Sequence, residues 1–435
     1  MSSVNRQRVL SLSDSPAVRW IQGGLIALVA VMPFHAFLSV WLGHLTGHEV
    51  IWQSWKEILL LIMAALSVAV VRREPERLLR WRNPLVYAVG VFVVVGLIVS
   101  LAHHGSLKST AFGLKTDTEF LVAMLLGLLV ADERLVKRLW PVAVISSGAV
   151  IGFGLLQVYA LPTNWLAHFG YGPSTIAPFL RVDPAIPAIR ILSTLGGPNQ
   201  LGSFLIVPLC IVGWAFLTRP RWWQPLYLLG GFIVLWHTYS RSALLGVVVA
   251  AVVLIALRVR RSWRLPVLLI AVILAAVAIQ ATTISVTRDK TLQYYVFHET
   301  LQPTGIDAST QEHSQATKHG LQVVEHHPFG LGLGSAGPAS LRGSTPLIPE
   351  NYYLQIGIEA GVVGLIAFVL IELLLGWQLV QIGLDRHSPN RALAAPLLAA
   401  LVGVSTVNFF LQGWADSSTA LVFWSLAGAV AGAQL

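Results

Sequence analysis

NPLVYAVGVFVVVGLIVSLAH, residues 83–103, contains no charged side chain. A helix rises about 1.5 Å per residue, so a run of this length crosses about 30 Å of hydrocarbon. The stretch therefore reads as a membrane-spanning helix, and similar runs recur along the chain. Spans are expected at about 19–43, 55–71, 83–103, 111–131, 136–160, 198–218, 222–239, 241–258, 263–284, 351–380, 392–412 and 417–434. Composition agrees: mean hydropathy is +0.70, with 55 % hydrophobic and 11 % charged residues. Soluble globular chains carry about 25 % charged residues. A β-barrel would instead alternate apolar and polar positions along short strands. The fold class is an all-α polytopic membrane protein of about twelve transmembrane helices, forming a single membrane domain over residues 1–435.

The net charge of +9 does not call for nucleic acid. With the N-terminus placed in the cytoplasm, most of the 29 Lys and Arg residues fall in short inner loops, among them Arg72, Arg73, Arg77, Arg80 and Arg82. That is the positive-inside pattern, and it puts both termini in the cytoplasm. No cleaved signal peptide is read in the polar start that carries Arg6 and Arg8; the first span acts as its own insertion signal. Trp20, Trp81, Trp140, Trp222, Trp223, Trp263 and Trp414 fall near span ends, as an interfacial aromatic belt would. The single cysteine, Cys210, excludes an internal disulfide and reads as a small core residue.

Two outer segments are long, at residues 161–197 and 285–350. Both face the same side, so any chemistry is extracytoplasmic. The second joins the ninth and tenth spans and holds five histidines, His298, His313, His319, His326 and His327. His326 and His327 are adjacent and form no HExxH-type pair, so no metal site is expected.

Three constellations stand at this outer face. In RILSTLGGPNQLGSFL, from Arg190, Pro198 and Asn199 read as a helix start, a place that favours anions. In TYSRSALLG, Arg241 lies in a turn so short that its guanidinium must sit close to the bilayer; it snorkels, or it binds a phosphate in bidentate fashion. In the long segment, TQEHSQATKHGLQVVEHHP reads as a short helix bearing His313 and Lys318. PFGLGLGS lacks the spacing of a dinucleotide fingerprint, and its glycines suit close approach of backbone to membrane helices or to a sugar-phosphate. PENYYLQIGIEAGVVG then opens a span with Glu350, Asn351 and Tyr352 at its mouth. Within the fourth span, Lys115 and Glu119 are four apart and set to pair, or else Lys115 lines the cavity. Glu372 and Asp416 receive no role.

These segments, in this order, resemble the O-antigen ligase family and its relatives, the O-antigen polymerases and protein O-oligosaccharyltransferases. The resemblance rests on Arg190 before Pro198–Asn199, on Ser240–Arg241, and on HHPFGLGLGS followed by ENYYLQIGIEAGVVG with its spaced Gly361 and Gly364. Many relatives have histidine where this chain has Glu350, and arginine in the place of His313, so the base is either Glu350 or His313. The resemblance implies a GT-C-like glycosyltransferase of the bacterial inner membrane with a periplasmic active site. Its donor would be a glycan on undecaprenyl diphosphate and its acceptor a sugar hydroxyl of lipid A–core, with inversion and without metal or other cofactor. The catalytic set would be His313, Glu350, Arg190 and Arg241. Arg190, Arg241, Lys115, Asn199, Lys318, Asn351 and Tyr352 would touch substrate. The alternatives are a polymerase of the same superfamily and, in a different class, a lipid-linked glycan transporter.

Overall fold

The computed structural model describes residues 15–103, 106–181, 189–259, 308–342, 346–385, 387–388 and 390–434, with 262 and 266 singly. A helix stands at each expected span other than 263–284, which lies outside the described residues. Among the described residues, six helices are long and apolar enough to cross a membrane. The expectation of about twelve is thus met only in part. Charges interrupt two of the others, and three more are shorter than 18 residues.

The first span is two helices, α1 (Pro16–Val31) and α2 (His35–Thr46), joined by a tight turn at Met32–Phe34. Pro33 in that turn lacks the N–H that a continuous helix would use. A short α3 (Glu49–Gln53) precedes α4 (Trp55–Arg73). Then come α5 (Pro84–Ala102), α6 (Leu107–Val130) and α7 (Glu133–Tyr159). The proline-rich segment after α7 includes a helical turn at Trp165–Phe169 and one antiparallel strand pair, β1 (Leu180–Arg181) with β2 (Ile189–Arg190). Its residues 182–188 lie outside the described part. The bundle continues with α8 (Pro198–Thr218), α9 (Trp223–His237) and α10 (Arg241–Arg258). The outer segment supplies α11 (Ala308–His326) and one turn, α12 (Gly337–Ser340). The chain ends in α13 (Tyr352–Leu384), α14 (Arg391–Val407) and α15 (Ser417–Gly432).

Apolar side chains alone do not drive helices together in lipid; close packing and hydrogen bonds do. The pairing of α10 with α14 shows this. A Cβ on Gly246 would lie 2.7 Å from the Gly403 carbonyl oxygen, so the two backbones touch. Aromatic rings fill the centre: Phe120 packs on Trp424 at 5.4 Å between centroids, Trp414 on Phe423 at 5.1 Å, and Phe92 on Phe368 at 5.7 Å. Trp414 is therefore a core residue and not part of the interfacial belt. Its indole N–H is drawn inward by the Glu372 carboxylate, 2.8 Å away. Trp20 and Trp222 are exposed, as a belt requires.

The opposite end of α6 is capped by the loop rich in arginine. Arg77 donates to the Leu129 carbonyl at 3.1 Å, and Arg80 to that of Ala131 at 2.7 Å. These carbonyls have no partner within the helix, and cations complement the negative end of its dipole. Burial, with the Arg77 charge beside it, pulls the Arg80 guanidinium down to about 10.

Candidate active site

The starts of α8, α10 and α13 meet at one end of the bundle. A Cβ on Gly202 of α8 would reach the Ser240 Cβ at 3.2 Å, just before α10. A Cβ on Gly246 of α10 would reach Val407 of α14 at 2.8 Å. The next residue of α14's end, Asn408, accepts the Tyr352 N–H at 2.8 Å. Three non-glycine residues with positive φ stand at these mouths: Ser193 (50°), Tyr239 (52°) and Glu350 (53°). Such backbone is uncommon for side chains with a Cβ and gathers at functional sites.

The arginine side is built from β2 and the α9–α10 turn. Arg190 donates through Nε to the Thr238 carbonyl at 2.9 Å and through a terminal nitrogen to Asn199 Oδ1 at 2.7 Å. The backbone beside it is tied to the same turn, with Ile191 N–H on the His237 carbonyl at 3.1 Å. Asn199 sits in the first turn of α8, where Pro198 leaves no wasted N–H. Arg241 is the first residue of α10 and half-buried. Burial first, and then the neighbouring Arg241 charge, lowers the Arg190 guanidinium to about 10. The group stays protonated near neutral pH, but the site favours an incoming anion.

The carboxylate side is built from α11 and the entry to α13. His313 Nδ1 lies 2.6 Å from Glu350 Oε2, with 40 % and 33 % of the two side chains exposed. Both remain reachable by a ligand. The helix that carries His313 is held against this entry: Thr317 donates to the Pro349 carbonyl at 3.5 Å, and Gly320 packs on Pro349. The two candidates for the base are thus a single contacting pair.

Other expected contacts turn out differently. Asn351 is spent on structure: Oδ1 accepts the Leu354 N–H at 3.0 Å as the cap of α13, and Nδ2 donates to the Phe409 carbonyl at 3.0 Å. Tyr352 is fully buried, with its ring 5.3 Å from Phe368 and its hydroxyl donating to Asp117 Oδ1 at 3.3 Å. It supports the mouth from behind, because the first turn of α13 already faces the core. Lys115 does not pair with Glu119. It lies 2.5 Å from Glu57 of α4, while Glu119 binds the buried Lys56 at 2.9 Å and the Ser417 hydroxyl. A neighbouring helix offers a better partner than the next turn of its own. Lys318 is exposed on α11. His298 lies outside the described residues.

The glycine run crosses a break in α13. Gly361 has φ 69° and ψ −178°, so the helix stops hydrogen-bonding in register there. The loop fills the gap: Leu331 N–H donates to the Ile358 carbonyl at 2.7 Å and Gly332 N–H to that of Glu359 at 3.0 Å. In return Val362 N–H donates to the Pro328 carbonyl at 2.9 Å. Irregular backbone at membrane depth is tolerated where protein satisfies its polar groups. The expected close approach of these glycines to a membrane helix is what the structure contains.

Two guanidiniums and a carboxylate–imidazole pair thus stand at one end of an apolar bundle, a combination that suits an anionic ligand. Residues 226–369, about a third of the chain, match the family described as O-antigen ligase. The match takes in Arg241, His313, Glu350 and the Gly361 break, so this stretch of the chain is similar to that family. That family supports a membrane glycosyltransferase activity of ligase or polymerase type, in a bacterial inner membrane. No curated protein matches the chain.

Proposed function

We propose that the protein transfers O-antigen glycan from undecaprenyl diphosphate to a sugar hydroxyl of lipid A–core, on the periplasmic face. The carrying observation is the pair of guanidiniums, with the charge of Arg241 bearing on a half-buried Arg190. A diphosphate leaving group gains charge as the glycosidic bond breaks. Arg190 and Arg241 would neutralise it, and fixed donors of this kind supply about 2.7–4 kcal/mol each at an oxyanion site. Asn199 orients Arg190 through its 2.7 Å bond. The acceptor hydroxyl loses its proton to the His313–Glu350 pair, a step worth about 10²–10⁴-fold. A single in-line displacement inverts the anomeric centre. Both termini are then cytoplasmic, consistent with the charge of the inner loops.

The test is reconstitution in vesicles with undecaprenyl-diphosphate glycan and two acceptors, lipid A–core and a second lipid-linked glycan. Sugar appearing on lipid A–core supports ligation. Chain growth on the second glycan would make the protein a polymerase, and movement of donor across the vesicle without transfer would make it a transporter. Arg190→Ala and Arg241→Ala each abolish transfer while the protein still inserts; normal turnover by either removes that arginine from the mechanism.

A further inference from the structure

Behind the mouth, two carboxyl groups from distant parts of the chain meet. Asp117 of α6 and Glu359 of α13 are both fully buried, and their carboxyl groups adjoin. Asp117 Oδ1 accepts from the Tyr352 hydroxyl at 3.3 Å and from Gln355 Nε2 at 3.2 Å. Glu359 Oε1 accepts the Ala336 N–H at 3.1 Å, and the Gly334 backbone bonds the same carboxyl. Asp117 Oδ2 and Glu359 Oε2 remain, buried and without a hydrogen-bond donor. Ionised carboxylates only accept, so a bond between two of them requires a proton on one.

Tyr352, Gln355 and Glu359 stand at i, i+3 and i+7, on one face of the outer half of α13. All three converge on Asp117. This half, Tyr352–Ala360, is separated from the rest of α13 by the Gly361 break. Asp117 and the glycine loop hold its rotation and height, together with the bonds of Asn351 and Tyr352 to the end of α14, and Glu350 is two residues before its start. We propose that Asp117 and Glu359 are positioning residues, an acid pair sharing one proton that anchors the glycine loop and the outer half of α13, and so fixes Glu350 and His313 for transfer. The kinetic part of the proposal rests on the transferase reading above.

The geometry sets an unusual mutational pattern. In Asp117→Asn the amide nitrogen faces Glu359 Oε2 and supplies the missing hydrogen, while Oδ1 still accepts from Tyr352 and Gln355. Glu359→Gln does the same from the other side. The double variant Asp117→Asn/Glu359→Gln turns donor against donor. Each single amide variant therefore keeps the parent's turnover. The double variant loses kcat by about 10²-fold, as about 1 Å of misplacement does. Its donor KM stays unchanged, because Arg190, Arg241 and Asn199 belong to the elements at and between β2 and α10. A merely destabilised bundle would lose donor affinity and folded yield along with kcat.

Turnover and thermal unfolding of the parent, both single variants and the double variant in the same vesicles make the test. Support is two active single variants with the parent's unfolding midpoint, and a double variant with low kcat, unchanged KM and a lowered midpoint. Loss of kcat in either single variant, or a double variant as active as the singles, overturns the shared proton. If the parent transfers to no acceptor, the transferase reading fails by itself. The unfolding midpoints then still decide the pair: singles like the parent and a lowered double support it, and any other order refutes it.

Discussion

Gly361→Ala tests the crossing on which the carboxylate side of the site depends. The added methyl would lie 2.5 Å from the Phe329 carbonyl carbon and 2.8 Å from the Pro328 oxygen. Both are backbone atoms, so no side-chain rotation gives relief. The conformation itself, φ 69° with ψ −178°, is one that glycine alone adopts freely. Holding alanine there costs about 1–3 kcal/mol. The clash persists in that conformation, and relieving it by separating the loop from the helix breaks three hydrogen bonds as well, of 2.7, 2.9 and 3.0 Å, each worth about 1 kcal/mol net. Strain and lost bonds together come to about 4–6 kcal/mol, a large fraction of the usual stability of a domain. Gly152→Ala is the control, since a methyl there meets nothing within 4 Å on α7. Denaturant unfolding in detergent, followed by tryptophan fluorescence, reads the difference, with turnover measured in parallel. A Gly361→Ala protein as stable and active as Gly152→Ala would refute the claim that the loop and the helix break are mutually dependent.

Other expectations follow from the same contacts. Lys56→Met leaves the buried Glu119 carboxylate without its cation at 2.9 Å and destabilises by about 3–5 kcal/mol. Lys115→Met costs only about 0–1 kcal/mol, because Lys115 is 38 % exposed and Glu57 keeps Lys56; equal losses on unfolding would contradict this assignment of partners. Trp414→Phe removes one of the donors on Glu372 and costs about 1–3 kcal/mol, read as a lowered unfolding midpoint. Asp416 caps α15 through the Thr419 N–H at 2.9 Å, so Asp416→Ala costs about 1 kcal/mol, and Asp416→Asn less. In the proposed reaction donor binding needs the Arg190 cation, which is lost as pH rises through about 10. The donor dissociation constant should therefore climb about tenfold per pH unit above that point. In Arg241→Ala the break moves to higher pH, and an unmoved break would show that the two charges do not interact.

The spans were legible because bilayer thickness imposes a length on apolar runs, and helices Pro84–Ala102 and Pro198–Thr218 coincide closely with the runs that announce them. Of the candidate site, the sequence offered the rim, because Arg190, Arg241, His313 and Glu350 are polar groups near helix mouths, and the structure places them at such mouths. Its interior was not legible. Glu359 is one acid in the apolar run IGIEAGVVG, and its partner Asp117 lies far away on another helix. Spacing rules see only one helix at a time, so Lys115 was matched to Glu119 although Glu57 of α4 holds it. Gly361 was visible as a spaced glycine. The break it allows depends on a loop whose pairing with residues 358–362 no local pattern encodes.

The cap that Arg77 and Arg80 place on the end of α6 bears on how the chain is made. In the proposed orientation this loop is among those whose charge keeps it from crossing the membrane during insertion. The same guanidiniums later satisfy the carbonyls of Leu129 and Ala131. The topogenic signal is thus consumed by the finished structure. A chain inserted the wrong way round at this hairpin would leave the end of α6 without donors inside the membrane. Misinserted molecules would then be marked for quality control by their own unsatisfied backbone, without any separate sensor of topology.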